Sequence, residues 1–185
     1  MQKQYRDVGG HGGLGNRRYE RYCGAFDRVQ HCVEAGYFLE AIAILDSLIW
    51  DRLSSRLGYL SGKLIDVDKN LGTICSQLVG DHGEGGCEHD SGFRDAVSTI
   101  RKWLERRNTA VHATAKVFRD DTSQEDFSAI LKSHKQTAQD GIRCLQSFDS
   151  LDTQSRQRAD RVPASFPNAF FPERRAGGSR LSVWR

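Results

Sequence analysis

Proline is nearly missing from this sequence. Its three prolines, Pro163, Pro167 and Pro172, all fall in the last 23 residues, so the preceding 162 carry no strong helix breaker. Long apolar runs are missing too: no stretch approaches the roughly 18 residues that span a bilayer. The opening MQKQYRDVGGHGG has no hydrophobic segment of the signal-peptide kind. A cytoplasmic protein without membrane association is the expectation. The five cysteines, Cys23, Cys32, Cys75, Cys87 and Cys144, are odd in number and form no CxxC pair. That argues against a disulfide framework and for buried thiols. The body also lacks charge of one sign. Residues 1–162 hold 23 basic and 23 acidic side chains, and the excess comes from four arginines and one glutamate in 163–185. Bulk charge therefore does not by itself indicate a nucleic-acid partner. No internal repeat is present.

What is there suits one folded domain. A chain of 185 residues is long enough to bury a real core, and 38% apolar against 28% charged residues excludes a disordered polyelectrolyte. Apolar positions recur at helical spacing. Tyr22, Phe26 and Val29 mark a first helix over about 17–34, which Gly36 interrupts. Phe38, Leu39, Ile42, Leu45, Leu48, Ile49 and Leu53 form a broad stripe on a second helix reaching about Leu57, the breadth expected of a central element. Asp66 or Asp68 is placed to cap a short third helix with Leu71, Ile74 and Leu78. The glycine-rich loop GDHGEGGCEHDSG, 80–92, precedes a fourth helix capped by Ser91 and carrying Phe93, Val97, Ile100, Trp103 and Leu104. Thr122 or Ser123 opens a fifth through Ile130, Leu131, Ala138, Ile142, Leu145 and Phe148. The reading is all-α: an up-and-down bundle of four to five helices over 17–160, after a flexible N-terminal segment 1–16. An extended tail, 161–185, follows. Phe166, Phe170, Phe171 and Trp184 make that tail unusually aromatic; a loosely ordered terminus is the simpler reading, against packing along the bundle or onto a partner.

One polar cluster interrupts the fourth helix where solubilising charge would be ordinary: RRNTAVHATA, 106–115, directly after Trp103 and Leu104. Each residue of a helix advances about 100°, so Asn108 and His112 share a face while Arg107 points about 140° from His112. One straight helix does not aim both at one phosphate without a bend or a second copy of the chain. The chemistry is nevertheless coherent. A guanidinium offers paired donors to a phosphate and to the charge that builds on it during attack. An imidazole can take the proton of a 2'-hydroxyl or return one to the leaving oxygen. No carboxylate pair with metal-ligand spacing accompanies them, so neither a metal ion nor another cofactor is expected. By residue type alone, a solvated helix face remains the commoner explanation of such a cluster.

The string Arg107-Asn108-Thr109-Ala110-Val111-His112 resembles the signature of the HEPN superfamily: an arginine, often followed by asparagine, then a histidine after four to six residues. RKWLERRNTAVHATAKV is similar to the family's motif helix, and Tyr37, Phe38, Ala41 and Ile42 through Leu57 to its early long helix. The resemblance extends over about 17–150, although only the short motif is specific. It implies a metal-independent endoribonuclease, of the toxin or abortive-defence kind, acting as a homodimer. There a composite cleft on the two-fold axis leaves a 2',3'-cyclic phosphate and a 5'-hydroxyl on the RNA. Arg107, Asn108 and His112 then carry catalysis, with Arg107 of one chain serving His112 of the other. Arg101, Lys102 and Arg106, one or two turns upstream, become candidates to guide the RNA backbone, against the alternative of a solvated face. Family toxins paired with nucleotidyltransferase antitoxins often carry a tyrosine two residues after the histidine, whereas Thr114 stands here, which argues against control by tyrosine modification. The alternative from another class is a catalytically silent family member that binds a partner such as an antitoxin or nucleotidyltransferase.

Other clusters carry less. His82, Cys87 and His89 in the glycine loop are zinc-type donors, but their spacing fits no closed four-ligand motif, and a mobile rim over the cleft is an alternative use. GGHGGLG, 9–15, follows no strand and so is not a phosphate-binding loop. Glu40 and Asp46 sit among apolar residues of the second helix, where either can face Arg107, although surface exposure is the simpler expectation. His31 and His134 read as ordinary helix residues.

Overall fold

The computed structural model describes residues 14–81, 84–113 and 127–159. Five helices, α1 (Leu14–Ala35), α2 (Phe38–Ser61), α3 (Leu71–Val79), α4 (Ser91–Ala113) and α5 (Phe127–Arg158), pack as an all-α bundle. The first helix starts earlier than the apolar pattern indicates, so Leu14 and Gly15 of the glycine-rich segment are helical. The second continues four residues beyond Leu57 and stops at Gly62, whose left-handed φ of 64° suits a residue without a Cβ.

Two helix starts differ from the sequence reading by the same logic. A cap must lie just outside the helix with its side chain turned back onto the first free N–H groups. Asn70 does this for α3, accepting from Thr73 N at 2.8 Å, and Asp90 does it for α4, accepting from Phe93 N at 3.0 Å. Ser91 is already the first helical residue. Asp66 instead folds its own loop, accepting from Asp68 N at 3.1 Å. The expected caps of α5, Thr122 and Ser123, lie outside the described residues, as do the tail from 160 onward, Thr114 and His82. The glycine loop contains a two-residue antiparallel ribbon, β1 (Gly80–Asp81) against β2 (Glu84–Gly85).

The helical stripes meet in one core, with Phe26, Val29, Ile42, Leu45, Ile49, Leu53, Ile74, Leu78, Val97, Ile100, Trp103, Leu145 and Phe148 buried. Cys23, Cys32, Cys75 and Cys144 are buried and Cys87 half-buried, all as free thiols; burial pushes Cys75 and Cys144 up to about 11. At Gly141 of α5 three helices come together. A Cβ there would lie 2.9 Å from Trp103 Nε1 and 3.0 Å from Leu45 Cδ1, and the indole N–H donates to Thr137 O at 2.8 Å.

These contacts set the directions. Leu45 beside Gly141 and Arg52 bonded to Asp149 make α2 and α5 parallel. Trp103 beside Gly141 and Gly92 beside Leu151 make α4 antiparallel to α5. The start of α2, the end of α4 and the start of α5 therefore share one end of the bundle. The short α3 reaches only to Leu104, which Gly72 faces, so the last two turns of α4 run past it. Side chains that the pattern places on core stripes are exposed at this end: Leu39 and Leu131, together with Tyr37, Val111 and Phe127.

The opposite end holds buried charge. Arg56 forks onto Glu88 at 2.6 and 3.1 Å and lies 3.8 Å from the Phe93 ring centroid. Arg52 stacks on Tyr22 at 4.5 Å and bonds Asp149 at 2.8 Å, and Arg156 bonds Asp152 at 2.9 Å. In low dielectric such ions persist only when paired; Arg52 with Asp149 ties α2 to α5, and Arg56 with Glu88 ties α2 to the glycine loop.

Candidate functional site

The last two turns of α4 present the polar cluster at the end that α3 leaves uncovered. Arg107 lies at the edge of the core and reaches across to α2, where its Nη2 donates to Asp46 Oδ2 at 2.8 Å. The two side chains are only 24% and 23% exposed. Burial pushes the Asp46 carboxyl above its ordinary range, and the neighbouring guanidinium pulls it back only in part. Of the two candidates on α2, Glu40 and Asp46, it is thus Asp46 that faces Arg107. Glu40 instead pairs with Arg28 of α1 at 2.8 Å, and that guanidinium holds its carboxyl below the usual range.

Arg107 Nη1 donates to Asn108 Oδ1 at 2.8 Å. A guanidinium has no acceptor, so this bond fixes which way the Asn108 amide points. Its oxygen is turned to Arg107, and its NH₂ group remains as a donor on an exposed residue. Asn108 is therefore suited to donate to a phosphate oxygen. Among the described residues, Arg107 Nε and Asp46 Oδ1 are buried without a hydrogen-bond partner. The pair is a single-contact clasp, and it leaves hydrogen-bonding capacity on both groups.

His112 is exposed in the final turn of α4 and has no hydrogen-bond partner among the described residues. The helix stays regular from Arg107 to His112, so no bend removes the roughly 140° between them. Arg107 and Asn108 are brought together, and His112 is not brought to them within one chain. Exposed Val111 lies between them on the helix surface.

The upstream cations separate. Arg101 turns back toward α3, donating to Ser76 Oγ at 2.9 Å and Gly80 O at 3.1 Å, so its guanidinium is engaged in joining α3 to α4. Lys102 is exposed. Arg106 projects toward α5 and bonds Asp140 at 2.7 Å. Asp140 also accepts from Arg143 at 2.8 Å and from Gln136 at 3.0 Å, a cluster absent from the sequence reading. Its signal was present in the helical arithmetic: Asp140 and Arg143 are three apart, and Gln136 and Asp140 four apart.

In the glycine loop, Glu88 is committed to Arg56, and Cys87 N bonds Gln77 O at 3.1 Å. No group of three or more His, Cys, Asp or Glu residues with metal-binding geometry occurs among the described residues. No described helix is long and apolar enough to cross a membrane. Comparison with protein-family models, with curated proteins and with solved structures finds no match to this chain.

Proposed function

We propose that this protein is a metal-independent endoribonuclease of HEPN type, a toxin or defence effector that cleaves RNA in a composite site between two copies of the chain. The observation that carries this reading is the unequal placement of the motif's two chemical groups. Arg107 is drawn to the edge of the core and held by Asp46 and Asn108, while His112 stands exposed on another face of the same helix. A guanidinium kept only for solubility has no need of that anchorage. A second copy related by a two-fold axis supplies the missing neighbour, since His112 of one chain then meets Arg107 of the other. Exposed Tyr37, Leu39, Val111, Phe127 and Leu131 gather at that end and provide apolar surface for the pairing.

In this scheme His112 exchanges the proton, as base toward the 2'-hydroxyl or as acid toward the leaving 5'-oxygen. Arg107 takes up charge on the scissile phosphate, and the outward NH₂ of Asn108 donates to a phosphate oxygen. Cleavage by attack of the 2'-oxygen leaves the 2',3'-cyclic phosphate and 5'-hydroxyl ends. The test is cleavage of RNA by purified protein with and without EDTA, alongside His112→Ala. Loss of cleavage in the variant, an unchanged dimer by sedimentation and no effect of EDTA are expected. Equal cleavage by both proteins sinks the proposal. No cleavage by either, with a stable heteromer on co-purification, transfers the motif to a silent, partner-binding member of the same type.

A further inference from the structure

The outer face of α5 is charged in a way its neutral surroundings are not. From Phe127 to Ser147 this helix carries Lys132, Lys135 and Arg143 and a single acid, Asp140. On a helical wheel Lys132, Gln136, Gln139 and Arg143 fall within about 40° of one direction, with Lys135 about 60° to one side. Lys132, Lys135, Gln136 and Arg143 are exposed. Lys102 and Arg106 of α4 join the same face, because Arg106 meets Asp140. Arg106 and Arg143 thus share the Asp140 carboxylate, with Lys102, Lys132 and Lys135 exposed along the same two helices, although basic and acidic residues balance over 1–162.

The acid organises the cations more than it cancels them. Asp140 is 17% exposed and takes one Nη1 from each arginine, Arg106 at 2.7 Å and Arg143 at 2.8 Å. The arginines themselves are 50% and 69% exposed. Neither has an acceptor on its Nε and Nη2 groups among the described residues. That edge of a guanidinium is the fork that receives a phosphate through two parallel bonds. Two arginines from different helices are pinned at one corner and present their forks outward.

We infer that Arg106 and Arg143, ordered by Asp140 and flanked by Lys102, Lys132 and Lys135, bind the phosphate backbone of single-stranded RNA. The face has glutamines and no large apolar side chain among these residues. It therefore lacks the apolar centre of a protein interface and the inserting surface of a membrane-binding helix. Polar and cationic composition is what nucleic-acid contact requires. Arg106 lies six residues from His112, about 9 Å along the helix axis and about 120° around it, so a strand on this face must turn around the end of α4 to meet that histidine. The choice of RNA rests on the ribonuclease reading above, and the strand is read through its backbone without preference among bases.

Binding is measured on the His112→Ala protein by anisotropy of a short fluorescein-labelled single-stranded RNA across a salt series. This separates the surface from the chemistry. Arg106→Glu with Arg143→Glu should weaken binding by about tenfold or more and make the salt dependence shallower by about 1.4 log units per log unit. Lys132→Glu with Lys135→Glu, which removes no bond to a described residue, should act in the same direction if the first pair disturbs the fold. The control, Arg21→Glu with Lys63→Glu, changes net charge equally on exposed residues elsewhere and should leave affinity within about twofold. Unchanged affinity in both test pairs, equal weakening in the control, or equal affinity for polyglutamate overturns the assignment. If the unsubstituted protein cleaves no RNA yet binds it through this face, the ribonuclease reading falls and the surface stands.

Discussion

Removing either partner of the clasp between Arg107 and Asp46 tests the geometry of the candidate site without any assumption about activity. An exposed ion pair contributes about 0–1 kcal/mol, whereas breaking a buried one costs about 3–5 kcal/mol. With both side chains about one quarter exposed and one bond of 2.8 Å between them, a coupling of about 1.5 kcal/mol is expected. The two single variants should not be equal. Arg107→Ala leaves a half-buried carboxylate whose pKa burial already raises, so it should destabilise more than Asp46→Asn, which leaves a neutral amide beside the guanidinium. The double variant should be less destabilised than the sum of the two. Urea denaturation of the four proteins gives the coupling directly, provided the m-values agree. Additivity within about 0.3 kcal/mol would refute the clasp. A catalytic consequence follows from the same bond. Freed from Asp46, the arginine must be ordered at the phosphate against about 2 kcal/mol of rotamer entropy, so Asp46→Asn should lower kcat by up to roughly thirtyfold with little change in KM. An unchanged kcat would show that the clasp does not position Arg107 for reaction.

Three further outcomes concern the scaffold. Gly141→Ala puts a methyl 2.9 Å from Trp103 Nε1 and 3.0 Å from Leu45 Cδ1, so it should lower stability by about 1–2 kcal/mol despite better helix propensity; a raised Tm would contradict the packing. Glu88→Ala strands the buried Arg56 guanidinium and should cost about 3–5 kcal/mol in denaturant unfolding. Joining it with Arg56→Met should restore most of the loss, and failure to recover would show that the ion pair is not its source. His134 is 3% exposed, and burial holds its pKa below the ordinary 6.5. The unfolded chain then binds a proton that the folded one resists. Its contribution is complete above about pH 6.5 and declines as pH falls below that value, so His134→Phe should flatten the stability curve on the acid side, and an unchanged slope would rule this group out.

Periodicity is a property of one helix, and what it shows ends where two helices meet. The stripes through Phe26, Leu45, Ile100 and Leu145 were legible because each needs only its own 3.6-residue repeat, and all four are buried. Arg101 was legible in part: four residues after Val97 and three before Leu104, it shares their inward flank, and the structure turns it onto Ser76. The buried ions gave a subtler sign. Arg52 and Arg56 are four apart on α2, each three residues after a member of the stripe through Ile49, Leu53 and Leu57, while Asp149 and Asp152 are three apart beside Leu145 and Phe148 on α5. Opposite charges on two core stripes imply a crossing at which those stripes coincide, but only the relative heights of the helices reveal it. The same limit applies to the motif. Its angular mismatch was readable from RRNTAVH alone, and so was the need of Asp46 for a partner among apolar neighbours. Which acid would meet Arg107 depended on the heights at which α2 and α4 pass each other, beyond the first turn of α3, where Gly72 lies against Leu104. With α3 reaching only to Leu104, the last turns of α4 run past it, and the helix's own rotation sets Arg107 at the edge of the core and His112 on the outside.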